Sequence, residues 1–338
     1  MTPWASVPLR RRLGMSNDSM VTRHIGYGVF WSDVARIGRL EDCYERHRSS
    51  TSDGWYMRLA RHGMPGIEKP IGSGTDGVWR DLSSLTHDID GAFLSSGLGA
   101  ARLALEGGQL PVLESPIERF GPPLASIGKV VCIGLNYSDH ANETGADLPK
   151  EPVVFLKTPD TVVGANDQVL IPRKSVKTDW EVELAVVIGA EARYLDSPDG
   201  ARACIAGYAI SNDVSEREFQ IERGGQWDKG KNCETFNPFG PWIVDEEELG
   251  DPQNLEMRLW VNGELRQESN TKHMIFGISH LVWHLSQFLV LRAGDVINTG
   301  TPAGVALGMA DHPYLRAGDV VEASIEGLGQ QRQLFGAA

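Results

Sequence analysis

Cysteine is scarce in this chain: four among 338 residues, at positions 43, 132, 204 and 233. None form a C-x-x-C pair, so neither a structural zinc site nor a thioredoxin-like motif is indicated. Scattered thiols fit a reducing cytoplasm. Cys132 and Cys204, set in apolar runs, read as small core residues. Long hydrophobic runs are also missing. No stretch approaches the roughly 20 apolar residues of a membrane span. Arg10-Arg11-Arg12 is followed by no apolar run, so a secretory signal is not expected. Positive charge is in deficit, with 32 Lys and Arg against 45 Asp and Glu and a formal net charge of -13. That balance opposes nucleic-acid binding, which needs clustered cations to replace counterions. It leaves an anionic small molecule open, because a local cationic pocket can sit in an acidic protein. No G-x-G-x-x-G follows a strand, and neither a P-loop nor a G-x-S-x-G elbow occurs.

What is present is 41% hydrophobic residues, enough for a sizeable core in one large domain or two unequal ones. Residues 1–56 are rich in Arg, Ser and Asp and read as a weakly ordered extension. Residues 57–125 read as a small unit. It has a strand-like Met57-Arg58-Leu59-Ala60-Arg61, turns at Gly63 to Gly66 and Gly72 to Gly77, a helical pattern near Leu98 to Leu105, and Pro122-Pro123 at its end. Over 126–338, apolar strands alternate with Gly, Pro and Asn turns. They are Lys129 to Ile133, Val153 to Leu156, Glu181 to Ile188, Ile205 to Ile210, Glu256 to Val261 and Asp295 to Asn298. Helices are predicted at Val214 to Ile221 and Ile278 to Phe288. The strand density argues for a β-rich α+β fold rather than a doubly wound one.

Chemistry concentrates in Asp179-Trp180-Glu181-Val182-Glu183, which runs into a β-branched stretch ending at Ile188. Strand side chains alternate, so Glu181 and Glu183 share a face, roughly 7 Å apart along the backbone. Two like charges there repel unless a cation sits between them. A solvent-facing stripe on an edge strand is the competing meaning. A second apolar strand ends in Ser211-Asn212-Asp213-Val214-Ser215. There Asp213 is either a helix N-cap or a third carboxylate converging on the pair. On a helix beginning at that point Asp213, Arg217 and Gln220 would share a face. Three carboxylates would make an all-oxygen site suited to Mg²⁺ or Mn²⁺.

Other elements are weaker alone. His140 and Glu143, spaced i, i+3, fit an imidazole oriented by a carboxylate as general base, or a solvated pair. Lys231 follows Gly230 in a mobile-looking stretch and by itself is a surface lysine. Thr299-Gly300-Thr301-Pro302-Ala303-Gly304 is either a plain turn or a source of N–H groups and a hydroxyl for a carboxylate. His280 and His284 lie i, i+4, but position 281 is Leu, so this is no H-E-x-x-H motif. Asp245 to Glu248 reads as a solvated acidic run, and Met274 to Phe276 as core.

Together these segments resemble the fumarylacetoacetate hydrolase family. The resemblance runs from Lys129 to Val321. It is carried in order by Gly134-Leu135-Asn136-Tyr137 through His140 and Glu143, by Glu181-Val182-Glu183, and by Asn212-Asp213-Val214-Ser215 with Arg217 and Gln220. Gly230-Lys231 through Phe236 and Gly240-Pro241 follows, then Ala293-Gly294-Asp295 through Thr299-Gly300-Thr301-Pro302. The resemblance implies a β-sandwich roll with a small N-terminal domain, dimeric and cytoplasmic. It implies Glu181, Glu183 and Asp213 as metal ligands and His140 with Glu143 as a water-activating dyad on a lid. It places Lys231, Arg217, Gln220 and Thr301 around a small 2-oxo acid. The reaction expected is hydrolysis of the C3–C4 bond of a 2,4-dioxo acid, releasing pyruvate through its enolate. A hydroxylated tail, as in 2,4-diketo-3-deoxy sugar acids, is preferred over an aryl tail. Oxaloacetate decarboxylation and hydratase or isomerase chemistry on an unsaturated 2-oxo acid are the alternatives. A catalytically silent metal- or ligand-binding module is the alternative of another kind. Because residues 1–56 lack a core-forming pattern, deleting them is expected to leave melting temperature and turnover nearly unchanged. A large loss of either would show that the segment packs against the rest.

Overall fold

The computed structural model describes residues 56–139 and 148–338. The expected extension, apart from Tyr56, and the expected dyad His140 and Glu143 lie outside the described residues.

The fold is strand-rich α+β, as the sequence leads one to expect. Its larger sheet has ten strands among the described residues. From edge to edge they run Trp79–Asp81, Lys69–Ser73, Arg58–His62, Asn237–Val244, Ile205–Asn212, Val182–Ile188, Val296–Asn298, Val130–Gly134 and Val153–Lys157, with Val162–Gly164 paired to Asn237–Val244 off that path. The segment ahead of residue 126 thus extends this sheet, through Leu59 opposite Ile243. A second, five-stranded sheet runs Glu264–Asn270, Glu256–Val261, Val320–Ile325, Gly329–Ala337 and Val169–Ile171.

Val182–Ile188 lies at the centre of this arrangement. It pairs antiparallel with both Ile205–Asn212 and Val296–Asn298, and every residue in it is buried. A strand covered on both faces reads as a continuous apolar run, and period-two alternation divides it between two cores. Val182, Leu184, Val186 and Ile188 join Met257, Leu259, Val321 and Ile325 of the second sheet. Ala185 and Val187 point the other way, into a cluster with Val130, Cys132, Phe239, Leu59, Phe93 and Leu105. The last two come from the helices Gly91–Ser96 and Leu98–Glu106. Glu183, in phase with Ala185 and Val187, belongs to that second face. The stripe is therefore not on an edge strand and does not meet solvent.

The structure corrects several local expectations. No helix spans Val214 to Ile221. Ser215–Glu216 pairs with Thr178–Asp179, and Glu218–Glu222 forms one π-helical turn. A capping Asp must turn its carboxylate onto the first N–H groups of its own helix. The Asp213 carboxylate is instead held by Lys157 and Lys231, and its N–H continues the sheet ladder to Glu181 O at 2.9 Å. The acidic run is not simply solvated either. Asp245 caps Glu246–Leu249 and pairs with Arg102, while Glu248 pairs with Arg58. Met274 to Phe276 sits half-buried at the margin of the core. The predicted C-terminal helix is present as Ile278–Ser286.

Asp179 ties the loop after Val296–Asn298 to the strand that carries the glutamates. Its carboxylate is fully buried and accepts from Trp180 N (2.9 Å), Ala306 N (2.8 Å), Leu307 N (3.0 Å) and Arg217 Nε (2.8 Å). Arg217 is buried with it. Removing one partner of a buried ion pair strands the other in a low dielectric, a loss of about 3–5 kcal/mol. Asp179→Ala is expected to lower unfolding stability in urea by that order; a loss below about 1 kcal/mol would show that Glu181 and Gln220 alone satisfy Arg217.

Candidate active site

Glu181 precedes the central strand, Glu183 is its second residue, and Asp213 follows the neighbouring strand. Register brings them together: Glu183 stands opposite Ser211, and the Asp213 N–H bonds Glu181 O. One oxygen from each of the three carboxylates lies within 4.8 Å of the others, and all three side chains are buried. No other group of three or more potential metal ligands occurs among the described residues. His280 and His284 stack on the helix Ile278–Ser286 with ring centroids 6.0 Å apart and acquire no third ligand among the described residues.

The carboxylates are held by named partners. Lys231 Nζ lies 2.7 Å from Glu181 Oε2 and 2.8 Å from Asp213 Oδ2. It is buried, not a surface lysine. Burial pulls its pKa down, but the Asp213 and Glu181 carboxylates outweigh that and raise it above the ordinary lysine range. Arg217 Nη2 makes an ionic contact of 2.7 Å to Glu181 Oε1, and Nη1 donates to Gln220 Oε1 at 3.0 Å. Burial again opposes the charge, and Asp179 and Glu181 again raise its pKa.

Glu183 is different. Its Oε2 accepts from Gly300 N at 2.8 Å, and no Lys or Arg ion-pairs with it among the described residues. Burial, then the Asp213 and Glu181 charges, push its pKa well above the carboxylate range, against the pull of Lys231 and of the Gly300 N–H. Gly300 has φ +100°, and a Cβ there would meet Asn136 Cβ at 2.7 Å, so the position requires glycine. Asn136 in turn donates to Thr299 O at 2.7 Å and accepts from Phe276 N at 2.9 Å. The Gly300 donor is therefore aimed by its surroundings.

All the expected site residues within the described structure lie in one connected group. Thr301 Oγ1 donates to Val182 O (2.9 Å) and accepts from Gln267 Nε2 (2.9 Å). Gln267 Oε1 also accepts from Val182 N at 2.9 Å, so one buried side chain fixes both the strand and the turn. Three further contributors went unassigned in the sequence. Lys157, wholly buried, contacts Asp213. Asp179 orients Arg217. Phe155 lies against Lys231, its ring centroid 4.9 Å from Nζ, and its edge meets Trp227 at 5.5 Å between centroids. A lysine in phase with a phenylalanine, one residue beyond the apolar stretch Val153 to Leu156, is the signal the sequence offers for Lys157 and Phe155.

The donor set fits a hard divalent cation. It is all carboxylate oxygen, converging and buried, and one member has no Lys or Arg ion-pair partner among the described residues.

Comparison with known proteins agrees with this geometry. Residues 129–335 match the family model described as fumarylacetoacetate (FAA) hydrolase, C-terminal. A Burkholderia multivorans protein bearing the name "Putative hydrolase" is 51% identical over 286 residues, covering 83% of this chain and 100% of its own length. The fumarylacetoacetate hydrolase of Exiguobacterium antarcticum is 34% identical with a TM-score of 0.73, covering 83% of this chain and 100% of that one. The 5-carboxymethyl-2-hydroxymuconate delta-isomerase of Mycobacterium smegmatis is 31% identical with a TM-score of 0.64, covering 83% and 99%. The sequence segments, the stacked sheets and the buried carboxylate triad thus have one common explanation, that the chain belongs to the fumarylacetoacetate hydrolase family.

Proposed function

We propose that this chain is a divalent-metal-dependent hydrolase that cleaves the C3–C4 bond of a 2,4-dioxo acid to pyruvate and a carboxylic acid. Mg²⁺ or Mn²⁺ would be held by Glu181, Glu183 and Asp213. The observation that carries this is the buried Glu183, set beside two more carboxylates and paired with no Lys or Arg among the described residues. An uncompensated buried carboxylate is strongly disfavoured, and a cation between the three removes the penalty. When bound, the metal supplies a Lewis acid for the carboxylate and 2-oxo oxygen of the substrate.

The chain's own groups account for the rest. Lys231, whose pKa Asp213 and Glu181 raise against the pull of burial, would supply positive charge to an enolate oxygen developing beside the triad. Gln220 and Thr301 border the triad from the Arg217 side and the Gly300 turn. His140, oriented by Glu143, would take a proton from the attacking water. Homodimer formation and a cytoplasmic location belong to the same reading. No helix among the described residues is long and apolar enough to cross a membrane.

The expected preference for a hydroxylated tail changes here. A hydroxylated tail needs side chains with hydrogen-bonding capacity to spare, and the candidates near the carboxylates are Arg217, Gln220, Gln226 and Asn232. Arg217 and Gln220 bond each other, Gln226 bonds Asp228, and Asn232 bonds Leu156 O and Thr158 N. Phe155 instead lies against Lys231, and Trp227 lies against Phe155. We therefore favour an apolar or aryl tail. Isomerisation of an unsaturated 2-oxo acid is the second reading, favoured by the isomerase of the same fold from Mycobacterium smegmatis.

Chelation is expected to abolish turnover, with recovery on adding Mg²⁺ or Mn²⁺. Glu183→Gln should weaken Mn²⁺ binding beyond the 10–100-fold range, roughly, that is typical of changes around a site. Full activity in metal-free protein would rule the reading out. Pyruvate release, followed by a coupled assay, separates cleavage from isomerisation. His140→Ala should suppress cleavage of an acylpyruvate far more than loss of CO₂ from oxaloacetate; equal losses would give His140 another role. A higher kcat/KM on a 2,4-diketo-3-deoxy sugar acid than on an aryl acylpyruvate would reverse the tail assignment, because sites built to bond hydroxyls reject analogues lacking them.

A further inference from the structure

We propose that Lys157 is a positioning residue that fixes the Asp213 carboxylate as a metal ligand; this rests on the metal-site reading above. Lys157 ends the strand Val153–Lys157, and its side chain is wholly buried. Its ammonium has two protein partners: Asp213 Oδ1, and Val214 O at 2.9 Å. Lys231 reaches the opposite oxygen, Asp213 Oδ2, at 2.8 Å. Asp213 is thus gripped on both oxygens, by lysines from two different segments.

The two segments are themselves tied together. Asn232, next to Lys231, accepts from Thr158 N at 2.5 Å and donates to Leu156 O at 3.0 Å. One amide side chain therefore holds the backbone on both sides of Lys157. The Val214 carbonyl fixes the remaining direction of the ammonium. Asp213 follows its strand, and its N–H carries the ladder one step further, to Glu181 O at 2.9 Å. That bond fixes its backbone; the Lys157 contact, anchored to backbone on both sides, orients its carboxylate. Ligating carboxylates are commonly oriented by such outer partners.

Charge and position make opposite demands, which gives the test its sign. By Coulomb's law alone, removing a cation beside the triad should tighten divalent-metal binding. If Lys157 positions Asp213, removing its donors should weaken it. Mn²⁺ affinity is measured by electron paramagnetic resonance on the full chain for native protein, Lys157→Met and Lys157→Gln, with melting temperature recorded alongside. The expectation is that Lys157→Met binds Mn²⁺ about tenfold or more weakly, while Lys157→Gln, which keeps an N–H donor without the charge, stays within about threefold of native. Unchanged or tighter binding in a folded Lys157→Met protein overturns the proposal and leaves the metal site standing. If Lys157→Met does not fold, Lys157→Gln decides: binding tightened tenfold means that charge outweighs placement, binding weakened tenfold means that a retained N–H donor does not fix Asp213, and either result overturns the proposal. Native protein that binds no Mn²⁺ removes the metal-site reading itself, and the proposal with it.

Discussion

The concentration of like charge at one end of a buried strand is the constraint around which the rest is arranged. Glu181, Glu183 and Asp213 approach within a few ångströms in a region closed to water. Left alone, such a group would protonate or open the fold. Nearly every polar side chain in the vicinity answers this. Lys231 spans two of the carboxylates, Lys157 takes the outer oxygen of the third residue, and Arg217 joins Glu181 to Asp179. Each of these cations carries its own desolvation penalty, and each is met by a carboxylate. Among the described residues, what the network does not supply is an ion-paired cation for Glu183. A polypeptide that buries three acids and neutralises them incompletely has kept the capacity to hold a foreign charge.

Backbone register makes that concentration possible. The same period-two rule that sends Val182, Leu184 and Val186 into one core sends Glu183, Ala185 and Val187 toward the other. A register slip of one residue would drive the acids into the interior between the two sheets. Two side-chain amides guard against this. Gln267 bonds the Val182 N–H and the Thr301 hydroxyl, and Asn212 Oδ1 accepts from Glu181 N at 3.1 Å. Neither amide carries charge, so both fix the strand without adding to its electrostatic load.

What was legible in the sequence follows from the same physics. Strands with β-branched apolar residues stood out, and Glu256–Val261 has the bounds expected of it. Glu181, Glu183 and Asp213 were readable because carboxylates interrupting apolar strands are out of place unless something binds them. Lys157 was out of place in the same way, but it ends its strand, where a lysine usually means the chain has reached water. The helix expected after Asp213 failed because local capping chemistry lost to two long-range ion pairs. Lys231 reads as a surface residue because it follows Gly230 in a Gly-rich stretch. Gly230 serves packing: a Cβ there would meet Glu216 O at 2.3 Å. Pairings between residues 18 to 56 positions apart leave no periodicity to read.

The arrangement also separates what sustains the site from what can vary around it. Asp179, Arg217, Gln267 and Asn136 bond backbone or one another, and their partners lie on several different strands and turns. Any of them changed would disturb fold and chemistry together. Phe155 and Trp227 are placed otherwise. They meet each other edge to face, Phe155 also meets Lys231, and Trp227 packs over Gly134, where a Cβ would come within 2.6 Å of it. Ring contacts tolerate exchange of one apolar shape for another far better than a buried ion pair tolerates loss of a partner. On one scaffold, then, the carboxylate centre can stay fixed while the adjoining rings are altered. That division of physical labour lets one carboxylate centre persist while the apolar shape beside it changes.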